Sequence, residues 1–194
     1  MIRPVHLILM TCSIIKDLKY SLIIVFLIYC CTSARAQGNS ILVPEVLANL
    51  LPDKIEGFNL VERINGRSVK IGTLTYSMME RSFSKSKRKI RFMLFDYNNA
   101  PIMYTQSTGK WESQPQEETD DLIQRTFTVA NGQGWEYHNK VSNTSQILMG
   151  IHDRFYLVIN GEGVDLDLLR VIATAVDLSN FPQRDRALTD AKHR

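Results

Sequence analysis

The chain has 194 residues, of which 44% are apolar and 22% are charged, a balance typical of an ordinary folded protein. This composition excludes an intrinsically disordered chain, a collagen-like repeat and a multi-pass membrane protein. The formal net charge of +3 and the three cysteines suggest a mildly basic protein with thiols. Whether that description holds for the folded domain depends on where those residues lie.

The first 36 residues have the pattern of an export signal. An apolar run at 21–31 lies between several basic residues and the small residues Ala34 and Ala36. The run is shorter than the roughly 20 residues that cross a bilayer. The two alanines fit the A-x-A rule of signal peptidase, so we predict cleavage after Ala36. The mature protein is then exported, to the periplasm or the extracellular space.

Two alternatives stay open at the N-terminus. A second apolar stretch, residues 5–15, precedes the first, and an uncleaved leader would make the protein a membrane-anchored subunit of an envelope complex. A lipoprotein acylated at Cys30 or Cys31 is the weaker alternative, because Tyr29 stands where a small residue is expected. Only a retained leader or an acyl chain would bring the protein to a membrane.

Removal of the leader changes the composition of the domain. Residues 1–36 contain four of the 23 Lys and Arg residues and one of the 20 acids, which leaves 19 of each. They also contain all three cysteines. We therefore expect a neutral mature chain without thiol chemistry or disulfides, made of one domain at 37–181 and a disordered charged tail at 182–194.

Helical spacing of apolar residues predicts helices at 43–51, 101–111 and 164–178. In the second of these we expect Ile102, Met103 and Tyr104 to face the core. The third has apolar residues at steps of four, which indicates an amphipathic helix packed on a sheet.

Period-two or continuously apolar runs predict the strands. These runs are 58–64, 69–76, 90–97, 122–130, 135–139, 146–152 and 155–160. Asn-Gly pairs favour tight turns, and we expect turns at Asn65–Gly66, Asn131–Gly132 and Asn160–Gly161. The elements together predict the α+β class: a single domain with a mainly antiparallel sheet of about six strands, and the C-terminal helix and a short N-terminal helix packed on one face.

One basic cluster is a candidate binding site. Five cations lie within seven residues: Lys85, Lys87, Arg88, Lys89 and Arg91. Such a cluster suits an anionic envelope component, and export argues against nucleic acid. The alternative is a solvated hairpin tip that faces the acidic stretch 112–121.

The titratable residues of the C-terminal half predict no metal or cofactor. Asp165 and Asp167 follow a glycine turn, but no bidentate acid follows them as a calcium loop requires, so Asp165 is predicted to cap a helix. His138 and His152 stand alone on separate strands. His152 with Asp153 leaves open a hydrolase hypothesis, for which no nucleophile is identifiable.

Four aromatic residues are candidates for an apolar pocket, with core packing as the alternative. They are Tyr104, Trp111, Trp135 and Tyr137.

Short motifs near both ends of the domain resemble a known family. They are Leu51-Pro52-Asp53 with Gly57-Phe58, the strand end at Asp96, and the closing Gly150, Asp153-Arg154-Phe155, Gly161, Gly163-Val164-Asp165-Leu166-Asp167 and Leu169. In these motifs the chain resembles an uncharacterised family of small exported bacterial proteins of unknown function. The resemblance covers most of 51–178 and implies a single α+β domain outside the cytoplasm, with no catalytic residue to transfer. We therefore expect a non-enzymatic binding or envelope-accessory protein that binds an anionic envelope component or a protein partner.

Overall fold

The computed structural model describes residues 40–61, 65–129 and 132–184. Contacts divide the chain after Gly38, and the described fold belongs to the unit Asn39–Arg194. The predicted leader and the predicted tail from residue 185 onward lie outside the described residues. Within the described ranges no helix is long and apolar enough to cross a membrane.

The described residues form one antiparallel sheet of nine strands. The strands are β1 (Asn59–Leu60), β2 (Asn65–Ile71), β3 (Leu74–Lys85), β4 (Arg88–Asn99), β5 (Glu117–Glu118), β6 (Leu122–Val129), β7 (Gly132–Asn139), β8 (Thr144–Ile151) and β9 (Phe155–Glu162). Their order is β1-β3-β4-β9-β8-β7-β6-β5, and β2 also pairs with β3. One edge is therefore shared by β1 and β2, and β5 forms the other.

The predicted α+β sheet of about six strands is wrong, because the fold is a nine-stranded antiparallel sheet with few short helices. The difference comes from one missed strand and one divided strand. Strand β5 is exposed at both of its positions, and a strand that buries neither face carries no apolar alternation for a sequence pattern to detect. The predicted strand 69–76 is divided between β2 and β3.

The first predicted hairpin turn is also wrong. Asn65 and Gly66 open β2, and the chain turns instead at Gly72, whose φ of 60° is in the left-handed region that glycine tolerates. The predicted strand 69–76 therefore belongs to two strands that meet at this turn. Of the predicted strand 58–64, residues 62–64 lie outside the described residues.

The helices are short: α1 (Pro44–Ala48), α2 (Pro101–Thr108), α3 (Lys110–Ser113) and α4 (Leu166–Thr174), with a 3-10 turn at Leu178–Asn180. The N-cap of α4 confirms its prediction, since the Asp165 carboxylate accepts a hydrogen bond from the Leu168 N–H at 2.8 Å. Helix α2 starts where expected, but Ile102 is 52% exposed and does not face the core.

Alternation along the strands divides the sheet into two faces. The inner face carries the apolar core, in which Phe92 and Leu94 of β4 lie in register with Ile159 and Leu157 of β9. Helices α1 and α4 cover this face. The outer face carries the alternate residues, such as Phe95 of β4, and α2 and α3 cover one end of it.

Two strand glycines let helices approach the sheet closely. A Cβ at Gly161 would lie 2.9 Å from Val164 Cβ and 3.0 Å from Leu169 Cδ1, at the start of α4 on the inner face. A Cβ at Gly150 would lie 2.6 Å from the Tyr104 hydroxyl of α2, on the outer face. The predicted turn at Asn160–Gly161 is therefore wrong. Both residues lie inside β9, where Gly161 leaves room for α4 to pack against the strand.

A buried ion pair connects the sheet to the N-terminal segment of the fold. Asp96 is 0% exposed and Arg154 is 2% exposed. Arg154 Nε and Nη2 donate to the two Asp96 oxygens at 2.8 and 2.6 Å, a bidentate arrangement. Asp96 also accepts from the Leu42 N–H at 2.8 Å, and Arg154 Nη2 donates to the Ser40 carbonyl at 3.2 Å. The pair therefore holds residues 40–42 against the sheet.

A tight turn between β8 and β9 places Arg154 for this role. His152 and Asp153 both have φ 53°, as the central residues of a type I′ turn require. The Arg154 N–H closes the turn on the Ile151 carbonyl at 3.1 Å. The Arg154 carbonyl then accepts from the Tyr97 N–H at 2.9 Å, which joins the turn to the end of β4.

Asp96→Asn should lower the free energy of unfolding by about 3 kcal/mol or more, because Arg154 would remain buried without a counter-charge. Urea denaturation at pH 7 measures this loss. Arg88→Gln is the control, since the Arg88–Asp165 pair is exposed and 4.0 Å long, and we expect it to change stability by less than about 1 kcal/mol. Equal effects of the two substitutions would contradict the importance given to the buried pair.

Candidate functional site

The five predicted binding cations do not form one surface. They lie on the β3–β4 hairpin, whose turn has Ser86 at φ 55°. Strand alternation sends neighbouring side chains to opposite faces, so Lys85 and Arg88 belong to the inner face. Lys89 and Arg91 belong to the outer face.

Two of these cations already have partners. The Arg88 guanidinium lies 5.4 Å from the centre of the Phe58 ring and 4.0 Å from the Asp165 carboxylate. Arg91 Nε lies 3.1 Å from Glu80 Oε1. The acidic stretch predicted to face the tip does not do so, because β5 forms the opposite edge of the sheet.

An aromatic row crosses the outer face from β3 to α3. Successive ring centres are 5.6 to 6.2 Å apart, and the rings belong to Tyr76, Tyr97, Phe95, Tyr156 and Trp111. Burial raises the pKa of the Tyr156 hydroxyl to about 12, and burial also raises the pKa of Tyr97. These hydroxyls are therefore neutral at physiological pH, and the row is an uncharged, mainly apolar surface.

The end of this row opens into a cleft of about 610 Å³ between α2, α3 and the outer face. We call it the aromatic cleft. Its apolar wall consists of Met103, Trp111, Leu148 and Tyr156. Its polar rim consists of Gln106, Ser107, Lys110 and Gln114. The Tyr97 hydroxyl and Ser107 are hydrogen-bonded, which ties α2 to β4 beside the cleft.

A second cleft on the same sheet has a different lining. We call it the polar cleft; its volume is about 250 Å³ and it is lined by Arg91, Tyr137, Thr144, Ser145, Gln146, Asn160, Gly161 and Glu162. Gln146 Nε2 donates to Asn160 Oδ1 at 2.6 Å, so two amides on neighbouring strands form a pair. Most of the side chains around this cleft are hydrogen-bonding groups.

A third cleft, of about 390 Å³, lies at the β8–β9 turn and includes Tyr104, His152 and Asp153. His152 Nδ1 is 3.0 Å from the Phe181 carbonyl, so this nitrogen carries the proton that it donates. Burial and the Asp153 charge raise the pKa of the Tyr104 hydroxyl to about 12, although a hydrogen bond with the Asp153 main chain acts to lower it. Among the described residues His152 makes no hydrogen bond to a hydroxyl or carboxylate, so this geometry gives the hydrolase hypothesis no support.

The other predicted site residues have structural surroundings. His138 Nδ1 is 2.8 Å from Ser145 Oγ, which donates to the Val164 carbonyl at 2.6 Å. Trp135 is buried on the outer face, on β7 beside Leu148 of β8. Within the described ranges no three His, Cys, Asp or Glu residues are grouped to hold a metal ion.

The sequence patterns missed one charged cluster on the inner face. Glu136 is 2% exposed and lies between two arginines. Arg125 Nε donates to Glu136 Oε1 at 2.6 Å, and Arg170 Nε donates to Oε2 at 2.7 Å. Burial alone would raise the pKa of Glu136, but hydrogen bonds from Arg170 and Arg125 outweigh it and lower the pKa below its usual value.

This cluster anchors α4 to β6 and β7, so we assign it to stability. No sequence pattern along β7 predicts this cluster, because Arg125 is 11 residues and Arg170 is 34 residues away from Glu136 in sequence.

No protein-family model, curated protein or solved structure matches the chain. The family resemblance stays a prediction, and the geometry alone defines the candidate site.

Stability should fall in acid partly through Glu136. Because its folded-state pKa lies below its ordinary value, its contribution is complete above about pH 5 and is lost as the pH falls through the lowered folded pKa. Glu136→Gln should cost about 2 kcal/mol at pH 7, since both arginines keep contact with water. It should also flatten the fall in the urea midpoint between pH 5 and 3.

Glu118→Gln is the matched control for this experiment. Its carboxylate bonds the same Arg125 at 2.8 Å but is 59% exposed, so we expect a change below about 0.5 kcal/mol and an unaltered acid profile. An unchanged acid profile in Glu136→Gln would show that this carboxylate does not carry the effect.

Proposed function

We propose that the chain is an exported, non-enzymatic protein that binds small amphipathic molecules in the aromatic cleft. The observation that carries this proposal is the aromatic cleft itself, in which an apolar wall of Trp111, Tyr156 and Leu148 meets a rim with one cation, Lys110. Export is inferred from the leader pattern at 1–36. The binding activity is inferred from the cleft.

The size and chemistry of the cleft support a small ligand. Ligand pockets in proteins are usually about 300 to 1,000 Å³, with mainly apolar walls and a few polar groups. The aromatic cleft falls inside this range at about 610 Å³. Trp111 stacks on Tyr156 with 6.2 Å between ring centres, which gives the wall a rigid aromatic part.

The described surroundings of the cleft favour binding over catalysis. The one hydroxyl on its rim, Ser107, is hydrogen-bonded with Tyr97, and neither described histidine lines the cleft. A hydrolytic site would need a nucleophile beside a base. We therefore assign the cleft to ligand binding, and the retained-leader alternative would place the same site at the membrane surface.

The experiment uses 8-anilinonaphthalene-1-sulfonate, an aromatic anion whose emission rises and shifts to the blue in apolar sites. We expect saturable binding of one probe per chain to the exported form. Leu148→Gln should weaken it about tenfold, the equivalent of about 1.4 kcal/mol, because it places an amide in the apolar wall. Met103→Gln tests the same wall from α2, so the result does not depend on one strand position.

Val171→Gln provides the control, since Val171 is 64% exposed on α4, which covers the inner face. We expect it to leave the probe affinity unchanged. Circular dichroism and the urea midpoint establish that each variant is folded. Absence of saturable binding, or equal affinity in the folded Leu148, Met103 and Val171 variants, would refute the proposal.

A further inference from the structure

We infer that the ligand of the aromatic cleft carries an uncharged, polyhydroxylated head group, such as a sugar, and that the polar cleft binds this head group. The inference rests on the proposed function and deepens it by naming the ligand class. An alkyl glycoside or glycolipid has this construction: an apolar chain joined to a ring with several hydroxyls.

The two clefts lie on one face along the same strands. Leu148 lines the aromatic cleft and Gln146 lines the polar cleft, two residues apart on β8 and therefore on the same side. At the usual rise of a strand their Cα atoms are about 7 Å apart. On β9, Tyr156 and Asn160 are separated by about 13 Å in the same way. One molecule with a short chain and a single ring can span these distances.

The strand positions between the clefts are apolar. Val158 lies between Tyr156 and Asn160 on the outer side of β9, in register with Leu148 of β8 and Met93 of β4. Val158 is 5% exposed, and no charged side chain interrupts this part of the strand. A ligand that reaches both clefts therefore meets no charged side chain along this part of β9.

The charges around the polar cleft balance. Arg91 is paired with Glu80, and Glu162 lies in register with Lys89. Two cations thus face two carboxylates, which favours a neutral head group over an anion or a cation.

The hydrogen-bonding groups of the polar cleft suit hydroxyls. With Gln146 Nε2 donating to Asn160 Oδ1, Gln146 offers an oxygen and Asn160 offers an NH₂ group, neither hydrogen-bonded to any described residue. The two Nη atoms of Arg91 likewise have no hydrogen-bond partner among the described residues, and Tyr137 adds a hydroxyl. Because each sugar hydroxyl both donates and accepts, such a mixed set binds it with few unmet partners.

Displacement of the bound anilinonaphthalene probe tests the inference. We compare n-octyl-β-D-glucopyranoside, 1-octanol and sodium octyl sulfate, three compounds with one chain and different heads, below their micelle concentrations. The glucoside should bind at least tenfold more tightly than 1-octanol and more tightly than octyl sulfate. Glucose alone should not displace the probe, because it cannot fill the aromatic cleft.

Substitutions in the polar cleft should remove only this preference. Gln146→Met and Asn160→Leu replace each amide with an apolar side chain of similar shape and remove the hydrogen bonds, so each should bring the glucoside affinity close to that of 1-octanol. Their affinity for the probe alone should not change. Gln124→Met is the matched control: Gln124 lies on β6, outside the polar cleft, and donates to Glu117 at 3.3 Å.

The outcomes separate this inference from the proposed function. Failure of the probe to bind the native chain refutes both. Probe binding without a glucoside preference overturns the sugar inference alone, as does a preference that survives in Gln146→Met and Asn160→Leu. Tightest binding of octyl sulfate also overturns it and favours the anionic envelope ligand predicted from the basic cluster.

Discussion

The bidentate ion pair between Asp96 and Arg154 joins three parts of the chain that are far apart in sequence. It connects the end of β4, the β8–β9 turn and residues 40–42, because Asp96 also accepts from Leu42 and Arg154 also donates to Ser40. Two charges inside a protein are tolerated only when each has its partners, so these three parts must be in place together. The β4 end, held in this way, leads directly into α2 and positions the helices that form the aromatic cleft.

The cleft exists because the two faces of the sheet are covered unequally. Helices α1 and α4 cover the inner face with the apolar core, and α4 is further tied by Arg170 to Glu136. Helices α2 and α3 cover only one end of the outer face, where Gly150 leaves room for Tyr104. The remaining outer face keeps aromatic and polar side chains in contact with water. An incompletely covered face of this kind is a natural place for a ligand.

Sequence patterns succeeded where burial is regular. The strands at 146–152 and 155–160 and the cap at Asp165 follow from alternation and from the chemistry of helix ends. They failed at the exposed edges, where Asn65 and Gly66 begin a strand instead of a turn. They also failed at Gly161, because an Asn-Gly pair has the same local preference whether it forms a turn or lies in a strand against which a helix packs. Of the candidate site, the sequence predicts Trp111 and Tyr137 as pocket residues, but no local pattern predicts that they line two different clefts.

The sequence by itself determined the leader pattern, the absence of cysteine from residues 37–194, and the apolar alternation of the central strands. These are local properties, which composition and short-range spacing carry in full. Only the tertiary structure decided the partners of Asp96 and Glu136, the division of four of the five cations between two faces, and the alignment of the aromatic and polar clefts. Each of these depends on how the strands pair across the sheet, where register brings together residues as far apart as Lys89 and Glu162, 73 positions along the chain. No local pattern predicts such a pairing, because it forms only when the strands pair with one another in the folded sheet.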